Sequence, residues 1–271
     1  MFRTESLFTP LSTRPLTYQR PLRKPLFSNM ALLALLLAAL VAQTALGQTQ
    51  KLQNNGGRPF VVFLDAAHGG ADPGVKISPA LEEKRVTLEL ALYLRKRLTE
   101  HGITVVMART SDTDPSTTLR AEMANHAQPA ACILLHATAS GAGVHLFTSS
   151  LPQAKRSAAP PWLTAQAEYR TQSDQLLSAI DEALIPTGIP VLVGHTYLDP
   201  LDEMTCPAVA LELAPMESGS ITRGETLADP HYQTQVVEAL VNALLAWQKN
   251  SAWQQNGVEI GINAARAEAT P

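Results

Sequence analysis

From residue 58 onward, apolar strand-like runs alternate with helical stretches, and this alternation is the strongest constraint on the fold. Phe60-Val-Val-Phe-Leu64 reads as a fully buried strand, closed by the Gly-rich loop 65–74. Residues 82–100 carry a helical stripe with Gly102 just past its end. Ile103–Ala108 follows as a strand, Leu119–Ala127 as a short helix, Ala131–His136 as a strand and Gly143–Ser149 as another. Residues 151–172, rich in Pro, Ala and Gln, read as a surface loop. Ser173–Leu184 is helical, Val191–Val193 and Pro207–Leu213 are strand-like, and a last helix opens at Asp229 and Pro230. Such a succession specifies an α/β single domain over residues 58–250, with a mainly parallel, twisted sheet flanked by helices.

The segments on either side read differently. Residues 1–29 hold Arg3, Arg14, Arg20, Arg23 and Lys24 against one acid, Glu5. An uncharged run, Ala31–Ala42, follows and ends in Ala45-Leu46-Gly47. A basic lead, an apolar stretch and a small-x-small end describe a secretory signal over residues 1–47. The run is short for a spanning helix, which needs about 20 apolar residues. The expected location is therefore periplasmic or extracellular, with membrane attachment only if the segment stays uncleaved. Residues 48–57 read as a linker and 251–271 as a disordered tail. A net charge of −3 gives no basic footprint for nucleic acid. The two cysteines, Cys132 and Cys206, each lie in an apolar run and read as buried free thiols; in an exported chain, pairing is the alternative.

In parallel sheets, chemistry gathers beyond the carboxyl ends of the strands. Four residues fall there: His68 after the first strand, Glu83 opening the first helix, His136 ending the third strand, and Glu212 near the end of the last. Val86, Leu90, Leu94 and Leu98 form one helical stripe, and at 100° per residue Glu83 points within about 20° of Leu90. The neighbouring Glu82 falls to the other side. A carboxylate on a buried stripe must be paired or metal-bound, because an isolated buried charge is costly; the plainer role is a helix-start acid facing the dipole. Among the other histidines, His101 and His126 sit at helix ends and His231 in an exposed first turn. His145 alternates within a strand and can face either way. Two His and one carboxylate from separate elements form a standard set for catalytic zinc.

Several segments now carry a resemblance. Leu64-Asp-Ala-Ala-His-Gly-Gly-Ala-Asp-Pro-Gly74, Glu83-Lys84, Ala108-Arg-Thr110, Leu119-Arg120 with Ala124-Asn125, Leu135-His-Ala137 and Pro207-Ala-Val-Ala-Leu-Glu212 occur in order. Together they resemble the zinc-dependent N-acetylmuramoyl-L-alanine amidases of the cell-wall hydrolase type 3 family, over about residues 59–248. The resemblance implies zinc on His68, Glu83 and His136, with Glu212 as the catalytic base. It implies peptidoglycan as substrate, cleaved at the amide between N-acetylmuramic acid and L-alanine, and leaves the need for a protein activator open. Asp65 is a candidate partner for an imidazole N–H, or equally a turn-forming Asp. Arg109, Arg120 and Asn125 match family positions and read as scaffold or loop anchors, and His195 as a strand-end surface residue. The chain departs from the family pattern in Ala66-Ala67 before His68, in Thr138 after His136-Ala137, and in Leu213-Ala-Pro-Met216 after Glu212. Two alternatives stand beside the amidase: a silent peptidoglycan-binding module of the same fold, and a different zinc hydrolase such as a peptidase or deacetylase.

Overall fold

The computed structural model describes residues 59–152, 165–216 and 227–249. The expected signal segment, linker and tail lie outside these residues. The elements, in chain order, are β1 (Val61–Ala66), β2 (Lys76–Ser78), β3 (Leu81–Glu82), α1 (Glu83–Glu100), β4 (Thr104–Met107) and α2 (Thr117–Ala127). They continue with β5 (Ala131–Ala137), β6 (Val144–Ser149), α3 (Ala165–Leu184), β7 (Val191–Thr196), β8 (Ala208–Leu213) and α4 (Pro230–Lys249). Among the described residues no helix is long and apolar enough to cross a membrane.

The main sheet runs β4-β1-β5-β8-β6-β7, and β2 and β3 form a separate hairpin. Strands β4, β1, β5 and β8 are mutually parallel. β6 joins β8 antiparallel, and β7 follows β6 in parallel. The expected α/β class with a mainly parallel sheet is the one observed. β1 is buried along its whole length between β4 and β5, which is why Val61–Leu64 reads as an unbroken apolar run rather than an alternating one.

Strand alternation divides the core into two faces. Val62, Leu64, Ile133, Leu135, Val209 and Leu211 point to the face covered by α1, α3 and α4. Phe63, Leu134, Ala208 and Ala210 point to the other, where Ala121 and Ala124 of α2 pack. The small residues Ala121 and Ala124 let α2 sit close to the sheet. The helix starts follow local chemistry: α2 begins at Thr117, two residues before the expected start, with the Ser116 side chain accepting from Leu119 N, and Asp229 accepts from His231 N ahead of Pro230 at α4.

Two readings need correction. Residues 165–172, expected in a loop, form the first two turns of α3. Gln166 is fully buried there because it donates to the carbonyls of Met204 and Cys206, both at 2.7 Å, and accepts from Ser173. A polar side chain satisfied by tertiary partners looks like a loop residue in sequence. The cysteines are not free: Cys132 and Cys206 form a disulfide with Cα atoms 6.3 Å apart. The parallel register sets Cys132 beside Ala208, so Cys206 lies one diagonal step away.

Candidate active site

His68 leaves β1 in the left-handed region, at φ 62, a conformation non-glycine residues seldom adopt. Two buried guanidiniums hold it there. Arg109 donates to the carbonyls of Ala66, Ala67 and Lys84, and Arg120 to those of Ala66 and His68. Both are anchors, as their place in the sequence indicates. Arg120 also pairs with Asp65, so Asp65 meets no imidazole; the guanidinium beside it takes its carboxylate. The carboxylate that does reach an imidazole is Asp72, whose Oδ2 lies 2.6 Å from His68 Nδ1. A reciprocal backbone pair between Gly69 and Asp72 folds the loop back to make that contact.

Glu83 is the centre of the arrangement. Only 3% exposed, it opens α1 and reaches over the end of the sheet. Its Oε2 lies 3.1 Å from His68 Nε2 and its Oε1 3.1 Å from His136 Nδ1. The N–H groups of Val75 and Ala137 donate to the same two oxygens. Burial pushes this carboxyl up, but the bonds from His136, His68 and the two amides outweigh it and hold it below the ordinary carboxylate range. Reciprocally, the hydrogen bond to Glu83 outweighs burial at His68 and, with Asp72, pushes it up to about 9. Glu82, by contrast, has a side chain 42% exposed and turned away. A Cβ on Gly74, at φ 64, would lie 2.6 Å from His68 Cδ2 and 2.7 Å from Glu83 Oε2, so only glycine fits the loop against this pair.

One donor atom each from His68, Glu83 and His136 lies within 4.8 Å of the others, close enough to share a metal ion. Glu212 stands beside this trio. The register pairs it with His136 on the neighbouring strand, and alternation sets both on the α2 face. Its Oε2 lies 2.7 Å from Nδ1 of His145, a partner that sequence alone left undecided. Asn125 anchors the loop ahead of β8, accepting from Thr205 N and donating to the Glu203 carbonyl. His195 lies at the opposite end of the sheet, exposed and bonded to Thr148 and Arg170, away from the trio.

A profile of the N-acetylmuramoyl-L-alanine amidases matches residues 62–246. The chain belongs to that family. The germination-specific N-acetylmuramoyl-L-alanine amidase of Bacillus subtilis (strain 168) is 27% identical over 209 residues, 69% of this chain and 79% of its own. Among solved structures, an N-acetylmuramoyl-L-alanine amidase from Clostridium difficile 630 matches with a TM-score of 0.58 and 22% identity, over 72% of this chain and 100% of its own. The CwlD amidase from Clostridioides difficile, solved in complex with the GerS lipoprotein, matches at 0.51 and 19% identity, over 70% and 98%. At such identities the solved structures establish the shared amidase fold, and the profile match establishes the family.

Proposed function

We propose that this amidase-family protein is an exported zinc enzyme that hydrolyses the amide between N-acetylmuramic acid and L-alanine of peptidoglycan stem peptides. The observation that carries the reading is the convergence of His68, Glu83 and His136, within 4.8 Å, beside Glu212 on the next strand. Two imidazoles and one carboxylate form the donor set of a catalytic zinc with a position left open. When bound, zinc supplies a Lewis acid that polarises a carbonyl and lowers the pKa of water toward about 7.

The chain's own groups supply the remainder. Glu212, with a side chain 32% exposed, is open enough to meet water and substrate. With Oε2 engaged by His145, its Oε1 takes the proton from the attacking water and returns it to the departing L-alanine nitrogen. Arg109 and Arg120, by gripping the carbonyls of the β1 exit, keep His68 aimed across the strand ends. Asp72 fixes the outer nitrogen of the same ring. Export is supported by the signal-like residues 1–47 and by the disulfide, a bond that persists in oxidising compartments. A protein partner fits this reading, since the CwlD relative was solved in complex with the GerS lipoprotein.

Mass spectrometry of peptidoglycan digested by the purified protein is the decisive test. Glycan strands with free muramyl lactyl groups and peptides with a free L-alanine amino terminus are expected. Cleavage within the peptide or loss of acetyl groups would refute the assignment. Glu212→Gln should keep the parent zinc content and lose about 100- to 10,000-fold in turnover, the range of general-base catalysis.

A further inference from the structure

Among the described residues, one buried titratable side chain touches the reacting group without being part of the trio. His145 is 8% exposed and lies in β6 directly opposite Glu212 in the antiparallel register. Its ring is held on three sides. Nδ1 lies 2.7 Å from Glu212 Oε2. Phe147, two residues along the same face, meets it edge-on with ring centroids 6.4 Å apart at 78°. On the far edge the 138–143 loop closes over it: Gly141, at φ 83, sits so near that a Cβ there would be 2.4 Å from Cε1 and 2.6 Å from Nε2. Any side chain at this point would have to push the ring aside, so Gly141 and the His145 ring are fitted to each other.

We propose that His145 is a positioning residue for Glu212, fixing which carboxylate oxygen takes the proton. The inference rests on Glu212 being the base, as proposed above. A carboxylate can only accept, so the shared proton resides on His145 Nδ1 and the bond consumes Oε2. Oε1 is then the oxygen offered to water. The same N–H can donate to Oε2 both before and after Oε1 takes a proton, so the carboxylate holds one orientation through both halves of the reaction. A carboxylate on a strand end with no such partner rotates about its last bonds and samples unproductive directions. Misplacement of a reacting group by about 1 Å can cost on the order of 100-fold.

The test is a double-mutant cycle on the zinc-loaded, full-length protein, with melting temperature and zinc content measured on every variant. His145→Phe keeps a ring between Gly141 and Phe147 and removes the donor. It should lower kcat by about 10- to 100-fold and leave KM within about twofold. His145→Asn restores an N–H near the Nδ1 position and should recover most of that loss even if the Phe variant folds poorly. In a Glu212→Gln background, His145→Phe should change the residual rate by less than about twofold, because the group it positions is already gone. Independently of activity, the Nδ1 proton of His145 should resonate downfield in the parent and shift upfield in Glu212→Gln. Near-parent turnover by a folded, zinc-loaded His145→Phe protein would overturn the proposal, as would an equal loss in both backgrounds. Parent-like turnover in Glu212→Gln alone would sink the base assignment and this inference with it. Loss in Glu212→Gln with none in His145→Phe would sink the inference alone.

Discussion

Strands β5 and β8 lie side by side, yet their two ends are built on opposite principles. At the amino end, Cys132 and Cys206 are joined covalently, and Gln166, Ser173 and Asn125 tie the surrounding chain with neutral hydrogen bonds. At the carboxyl end, His136 and Glu212 stand in register with no covalent tie, and the neighbouring chain is held by ionic groups: Arg109, Arg120, Lys84 and Asp112. His68 there occupies a left-handed conformation, and Gly74 a place no other residue could fill. One end fixes the register of the two strands, and the other uses it. Strain and buried charge are tolerated where they serve the site, because the strands beneath cannot slip.

The largest effect should come from the carboxyl end. Glu83→Gln removes the charge that both imidazoles face and should abolish zinc retention and cell-wall hydrolysis together, while Glu82→Gln should leave both near the parent. Zinc content by elemental analysis and peptidoglycan turnover check the pair. Equal zinc in the two variants would show that the buried carboxylate is not what holds the metal.

The amino end should respond in stability instead. The disulfide closes a loop of 74 residues, worth about 4 kcal/mol in the chain-entropy account. For a domain of this size, replacing both cysteines by serine should lower Tm by about 10 °C. Activity per folded molecule at low temperature should remain close to the parent. A double serine variant with unchanged Tm but depressed kcat would reverse the division of labour between the two ends.

The sequence carried the carboxyl end better than the amino end, for a physical reason. Helical phase puts Glu83 on the Val86–Leu98 stripe, while Glu82 lies just outside the helix, at the end of β3. Strand alternation alone groups Ala208, Ala210 and Glu212, and the structure sets that face toward α2. Both are local periodicities. What could not be read depends on contacts between distant segments. The antiparallel insertion of β6 beside β8 decides that His145 faces Glu212, and nothing within residues 144–149 records it. The Cys132–Cys206 bond follows from the β5–β8 register. Gln166 turns helical and buried only because the carbonyls of Met204 and Cys206 await it. Asp72 was hidden by a turn: its distance from His68 depends on the Gly69–Asp72 backbone pair, whereas Asp65 was nearer in sequence and drawn away by Arg120.

The smallest effect concerns that turn and gives the carboxyl end its pH signature. In the metal-free protein His68 is pushed up to about 9 from 6.5, first by Glu83 and then by Asp72. A raised histidine stabilises the fold fully below its unfolded value and ceases to do so as pH climbs through its folded one. Glu83, held low, contributes above the ordinary carboxylate value of 4.5 and is lost in acid. Both contributions are therefore present between about pH 4.5 and 6.5, and the metal-free Tm should fall from about pH 6.5 to about 9. Zinc needs the same imidazole without its proton, so binding at neutral pH should release a proton and tighten as pH rises. Asp72→Asn keeps an acceptor at His68 Nδ1 but removes its charge. Because Asp72 is about half exposed, water screens much of that charge. The variant should weaken zinc by about tenfold, the lower end for a residue that orients a ligand. It should also shrink the alkaline fall in metal-free Tm without removing it, because Glu83 remains the larger influence on His68. Zinc titration against a competing chelator, repeated in two buffers of different ionisation enthalpy, reads affinity and proton release together. Unchanged affinity and proton release in Asp72→Asn would mean that the trio holds its geometry with no help from the turn.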